Sequence, residues 1–185
     1  MARNFDQIVV LDIEATCWEG EPPKGQENEI IEVGFCLLHP LTLERSEKTS
    51  VLVRPEKSSV SEFCTKLTTL TQEQVDTGVT FQEVCTLLKK KYDTKNRLWA
   101  SYGDYDRKQF EKQCRDRNLS NPFGNSHLNV KTLYALLRGA TAEVGMAEAL
   151  EQLQLPLEGT HHRGHDDAWN IAAILAHLLK KGRGV

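Results

Sequence analysis

No stretch of this 185-residue chain approaches the roughly 20 apolar residues that a membrane span requires. Its start, Met-Ala-Arg-Asn-Phe-Asp, lacks the basic-then-apolar build of a secretion signal. The five cysteines (Cys17, Cys36, Cys64, Cys85, Cys114) are scattered, odd in number and free of any C-x-x-C pair, which argues against a disulfide framework and a structural zinc site. A reducing, cytoplasmic setting is the expectation, with no membrane association. There is no basic excess either. The formal charge is −3, so any nucleic-acid binding has to be local. Basic clusters at Lys89-Lys90-Lys91 and Lys180-Lys181-Gly182-Arg183 read as last turns of helices, where cations suit the dipole. Internal repeats and low-complexity tracts are absent, and 39% hydrophobic with 26% charged residues suits one globular domain over 1–185.

The run Ile8-Val9-Val10-Leu11 is greasy enough for a buried central strand, and it ends in Asp12 and Glu14. Alternation puts both carboxylates on one face. Two unpaired carboxylates side by side repel each other and cost several kcal/mol to desolvate, so the pair asks for a divalent cation. A strand-end turn explains the same pattern, and Asp-x-Glu alone does not choose between them.

Further strand-like runs lie at Ile30–Leu38, Thr49–Arg54 and Arg97–Ser101, the first two strands being separated by the polar segment Glu19–Asn28. Thr80-Phe81-Gln82-Glu83 is a capping box that opens a helix to about Tyr92. Asp104–Arg117, Lys131–Leu137, Gly145–Leu153 and Asp166–Lys180 also read as helical, and Pro122–Asn125 as a loop. Strands first and helices later predict an α/β or α+β domain, read here as α/β: a mixed central sheet with helices on both faces.

Helical spacing separates the acids. Asp167 is followed by Ile171, Ile174, Leu175 and Leu178, on the core-facing stripe, whereas Asp166 shares a face with Asn170 and His177 and is expected to be exposed or capping. Asp106 leads to Phe110 and Cys114 and faces inward; Asp104 leads to Lys108, Glu111 and Lys112 and suits an N-cap or a surface ion pair. Four inward acids, Asp12, Glu14, Asp106 and Asp167, are too many for an apolar core unless they converge on hard cations such as Mg²⁺ or Mn²⁺. Two such ions about 4 Å apart promote in-line attack on a phosphodiester. His161-His162-Arg163-Gly164-His165 supplies imidazoles that can take a proton near neutrality.

These residues resemble the DEDDh 3′→5′ exonucleases of the ribonuclease-H-like fold. The three motifs are Asp12-Ile13-Glu14-Ala15-Thr16, Tyr105-Asp106 and His162-x-x-x-x-Asp167. Asp12–Cys17, Glu29–Glu32, Val53-Arg54-Pro55, Leu70–Asp76 and Gly164–Asp167 are similar to one branch, the histone-mRNA 3′-end and RNA-interference-modulating exonucleases. Asp6 already leads into the first strand, so the extra N-terminal nucleic-acid-binding domain of that branch's eukaryotic members is not expected.

The resemblance implies stepwise hydrolysis of RNA, and of DNA as a second substrate, from a single-stranded 3′ end with two divalent cations. By family analogy Asp12, Glu14 and Asp167 hold one cation, Asp12 bridges to the second, Asp106 completes the site, and His162 is the general base. Ala15, Thr16, Cys17, Phe63, Leu70 and Tyr105 correspond to the pocket for the terminal nucleotide. The hydroxyl of Thr16 is left to serve there, because Ala15 stands where many relatives outside that branch have Thr. Phe63 and Leu70 serve equally well as core residues, and Trp18 as a cap or a cover. The competing function is a noncatalytic nucleic-acid-binding module that keeps the fold.

Overall fold

The structure is a computed structural model describing residues 4–184; Met1, Ala2, Arg3 and Val185, part of the sequence reading of the termini, lie outside them. Five strands, β1 (Asn4–Ala15), β2 (Ile30–Leu38), β3 (Arg45–Leu52), β4 (Arg97–Ser101) and β5 (His127–Asn129), form one sheet in the order β3-β2-β1-β4-β5. β1 runs antiparallel to β2 and parallel to β4; β2 and β3 are antiparallel, β4 and β5 parallel. The sheet is therefore mixed, with β1 at its centre.

Helices α1 (Glu62–Thr68), α2 (Gln72–Asp76) and α3 (Phe81–Tyr92) precede β4. α4 (Tyr105–Asp116) follows it, and α5 (Val130–Arg138), α6 (Met146–Leu153) and α7 (Gly164–Gly182) complete the chain. Alternation along β1 divides the core. Val9, Leu11 and Ile13 pack with Phe81, Leu88 and Phe110 of α3 and α4. Ile8 and Val10 face the other way, onto Tyr134, Leu150, Ile171, Ile174 and Leu175 of α5, α6 and α7. Each fully buried aliphatic side chain of this kind contributes about 1.5–3 kcal/mol. Asp12 and Glu14 continue the even-numbered series, so the register that buries Val10 aims both acids toward α7.

The predicted strands at Ile30–Leu38 and Arg97–Ser101 match in extent; β3 instead starts at Arg45, in a stretch too polar for the apolar criterion because its side chains are mostly exposed or half-buried. The capping box at Thr80 is formed, the hydroxyl accepting from Glu83 N–H. Three short elements were not expected: α1, α2 and β5. Lys89–Lys91 and Lys180-Lys181 do occupy last turns, of α3 and α7. Residues 122–125 form a loop, but Phe123 is buried and stacks on Trp99 with ring centroids 4.3 Å apart.

Candidate active site

The site lies where β1, α4 and α7 meet. Asp12 pairs across the ladder with Gly34 of β2, and Gly164 stands over that pair at the start of α7. A Cβ on Gly34 would fall 1.8 Å from the Gly164 carbonyl carbon, so only glycine lets the helix come this close. Glu32, opposite Glu14 in the register, locks the approach. Its carboxylate accepts from Gly164 N–H at 2.9 Å, Arg163 Nη2 at 3.1 Å and the Ser50 hydroxyl. Burial works to raise Glu32, but Arg163, Ser50 and the Gly164 amide together hold it below the usual carboxylate value. Sequence reasoning quoted Glu32 only as part of a motif and missed this role. Its signal was the pair Glu29 and Glu32 bracketing Ile30-Ile31 in a buried strand. Glu29 serves another loop, accepting from the amides of Glu56, Lys57 and Ser58 and from Arg117.

Asp12, Glu14 and Asp167 each present an oxygen, and the three oxygens lie within 4.8 Å of one another. Asp167 forms a second such group with His161 and His162. All five line a cleft of 290 Å³ with Tyr102, Tyr105 and Met146. Asp106 stands behind that wall, buried, its Oδ1 accepting from Ile13 N–H at 3.0 Å, the amide between the two β1 acids.

The acids crowd each other. Burial raises Asp12 well above the ordinary carboxylate value, and Asp106, Glu14, Asp167 and Glu32 push it further. Burial with Asp167, Glu32 and Asp106 lifts Glu14 to about 9, against a smaller opposing pull from Arg163. Asp106 rises to about 6 through burial, restrained by its amide and Ser101 contacts. Carboxylates this frustrated, all hard oxygen donors, fit a divalent cation.

The raised values carry a sign for stability without metal. The folded protein keeps a proton on Glu14 up to about pH 9, whereas the unfolded chain releases it from about pH 4.5. Stability from this group is therefore full below pH 4.5 and is lost as pH climbs toward 9. In chelator, the melting temperature is expected to fall between pH 5.5 and 8.5, with Glu14→Gln flattening the slope and Mg²⁺ restoring stability at pH 8.5. An equally steep slope in Glu14→Gln would remove this account.

The histidine segment is folded tightly over Asp167. His162 has a left-handed backbone (φ 64°), and its N–H donates to Asp167 Oδ2 at 2.8 Å. His161 Nδ1 lies 3.0 and 3.1 Å from the two Asp167 oxygens, and the two imidazoles stack at 4.0 Å. Burial and the neighbouring His161 lower the His162 value, against the opposing pull of Asp167, keeping its ring neutral at pH 7.

Several expectations change. Asp166 is neither exposed nor a cap: Thr160 N–H donates to it at 2.8 Å and Lys48 Nζ is 2.6 Å away. Burial opposes its ionisation, but those two partners hold its value down. Thr16 is fully buried, and its hydroxyl donates to Glu27 O and accepts from Glu29 N–H. Leu70, 1% exposed, packs with Ile31, Cys64 and Val75 in the core. Phe63 is 38% exposed, Ala15 is buried, and Cys17 is half-buried with its carbonyl accepting from Ser61. Of the six nucleotide-pocket residues, Tyr105 lines the cleft; it is 55% exposed. Asp104 occupies the N-cap position of α4 without a side-chain cap bond and pairs with Arg107.

The model of the exonuclease family matches residues 9–175, from the middle of β1 into α7, taking in every acid of the cleft. The chain belongs to the exonuclease family. Exonucleases of this family depend on divalent metal, and the carboxylates here are able to hold one. The chain is 35% identical to human 3′-5′ exoribonuclease 1 over 191 residues, 96% of this chain and 54% of the relative. It is 26% identical to the Drosophila melanogaster 3′-5′ exonuclease Snipper, covering 97% of this chain and 72% of that one. It thus spans about half the length of the exoribonuclease 1 relatives it matches. Among solved structures, the nuclease domain of 3′hExo, a DEDDh family member bound to rAMP, superposes with a TM-score of 0.81 at 32% identity, over 98% of this chain and 96% of that one. No helix among the described residues is long and apolar enough to cross a membrane.

Proposed function

We propose that this exonuclease hydrolyses RNA stepwise from a free 3′ end, releasing nucleoside 5′-monophosphates, with DNA as a second substrate. The observation that carries the reading is the oxygen triad of Asp12, Glu14 and Asp167 in an open cleft that His161 and His162 also line. Divalent cations, Mg²⁺ or Mn²⁺, would supply positive charge for activating water and for the charge that builds on the phosphate. Asp12, Glu14 and Asp167 would hold one ion, and Asp12 with Asp106 would serve a second. A neutral ring nitrogen of His162 takes the proton from the attacking water. The water oxygen bonds to phosphorus, the P–O3′ bond breaks, the departing O3′ takes a proton from solvent as the new end of the shortened strand, and His162 returns its proton to solvent. His161 positions Asp167.

Tyr105 offers its exposed ring to the terminal base, a contact that every base can make, which suits a sequence-tolerant enzyme. The names of the exoribonuclease relatives support RNA over DNA. Five free cysteines support a cytoplasmic setting.

End-labelled RNA and DNA, incubated with Mg²⁺ or Mn²⁺, should give a ladder that shortens from the 3′ end. A 3′-phosphate and a chelator should each stop it. Cleavage of circular RNA at a comparable rate would make the protein an endonuclease. Metal and RNA binding with no hydrolysis would favour a noncatalytic binding module.

A further inference from the structure

Two adjacent histidines lie on the same side of the chain. Consecutive side chains of an extended segment point to opposite sides, yet here a left-handed residue at His162 (φ 64°) accompanies two imidazoles stacked 4.0 Å apart with their planes 17° from parallel. Both rings line the cleft beside Asp167. His162 gives its backbone N–H to Asp167, while its ring nitrogens make no protein hydrogen bond among the described residues.

The spacing of these atoms suits an ion. Nδ1 of His161 lies 3.0 and 3.1 Å from the Asp167 oxygens, close to the roughly 3.3 Å that separates two ligand atoms of tetrahedral zinc. Zinc can thus replace the hydrogen shared by that pair with little movement of either side chain. A His162 nitrogen lies within 4.8 Å of both, and rotation of the half-buried ring brings it in. Imidazole suits zinc, whereas Mg²⁺ and Mn²⁺ prefer oxygen. The all-oxygen group of Asp12, Glu14 and Asp167 and the nitrogen-rich group of His161, His162 and Asp167 therefore differ in the metal they favour, and they share one carboxylate. Three protein ligands with a fourth position open is a common zinc arrangement, and this one needs no cysteine.

We infer that His161, His162 and Asp167 form a zinc site and that zinc held there switches hydrolysis off. A neutral imidazole has one bare nitrogen, and once on zinc it cannot accept a proton from water. Asp167 is drawn to the same ion and away from the all-oxygen group. The site stands on the three side chains alone; its inhibitory effect rests on the exonuclease reading.

The test is titration of the metal-free protein with Zn²⁺ against a chromophoric chelator, with no Mg²⁺ or Mn²⁺ present. The wild type should take one Zn²⁺. Co²⁺ in the same place should show the strong visible absorption of a tetrahedral ion, and zinc should abolish it. His161→Ala and His162→Ala should each weaken zinc binding roughly a hundredfold, one ligand's share of the binding energy of a zinc site. His165→Ala should bind as the wild type does. The double variant Asp12→Asn/Glu14→Gln should keep most of the affinity and the Co²⁺ spectrum, since neither residue is a ligand of this site. In Mg²⁺-supported assays on single-stranded RNA, zinc should inhibit the wild type, and half-inhibition of His161→Ala should need roughly a hundredfold more zinc.

A wild type that binds no zinc, zinc binding unchanged in His161→Ala, or zinc binding lost in Asp12→Asn/Glu14→Gln each overturns the inference and leaves the exonuclease reading intact. Zinc bound through the histidines without inhibition overturns the switch. If His161→Ala does not fold, His161→Phe, which keeps a flat ring against His162, decides by the same titration. Zinc bound through the histidines in a protein that hydrolyses nothing with Mg²⁺ or Mn²⁺ overturns the exonuclease reading and leaves the site standing.

Discussion

Asp167→Asn is expected to lower kcat by several orders of magnitude, whereas Asp166→Asn leaves turnover within about tenfold and lowers the melting temperature instead. Asp167 contributes an oxygen to both potential metal-holding groups and receives His161 and the His162 amide. An amide in its place offers one neutral oxygen where a charged one is needed. Asp166 points the other way, into the Thr160 amide and Lys48. Its loss removes charge-assisted bonds of about 1.5–3 kcal/mol, or roughly 5 °C for a chain of this length. Rate assays and thermal melts on the two variants make the comparison. Equal loss of turnover in both would undo the separation by helical face.

His162→Ala is expected to cost about 10²–10⁴-fold in kcat with little change in metal or RNA binding, since a general base acts in the transition state. His161→Ala should cost less in rate and should weaken Mn²⁺ binding, because Nδ1 of His161 is spent on Asp167. His165→Ala should be the mildest in rate. Its ring lies 3.6 Å from Glu32 and 3.5 Å from Asp166, outside the cleft lining. A crippled His161→Ala beside a nearly normal His162→Ala would transfer the base to the neighbouring ring. Single-turnover kinetics at saturating metal separates the two.

The gathering of Asp12, Glu14 and Asp167 was legible because strand alternation and helical spacing are local rules, and the buried sheet enforces both. The same rule misplaced Asp166. The helical wheel gives the direction of a side chain but not what lies in that direction, and here Lys48 of β3 and the 158–162 loop fold over it. The bonds of Thr16 were out of reach for a related reason. Its hydroxyl was assigned by analogy, while its two partners, Glu27 and Glu29, follow the whole of a polar loop that sequence periodicity does not place. The short helices were partly within reach: Thr71-x-x-Gln74 is a formed capping box at the start of α2. β5 was not, since three half-buried residues carry no period, and its strand character comes from pairing with β4.

The contact between Gly34 and Gly164 separates two properties that usually travel together, possession of the signature residues and competence. Neither glycine offers a functional group, yet between them they set how far the histidine-bearing loop stands from β1. One added methyl at position 34 would collide with the Gly164 carbonyl carbon and with the backbone nitrogen of His165 at 2.0 Å. The whole third motif would have to retreat, and a misplacement near 1 Å is enough to cost about a hundredfold in rate. A homologue with all four acids and the histidine but alanine at that strand position would be counted as active by any inventory of its chemistry. Its spacing would say otherwise.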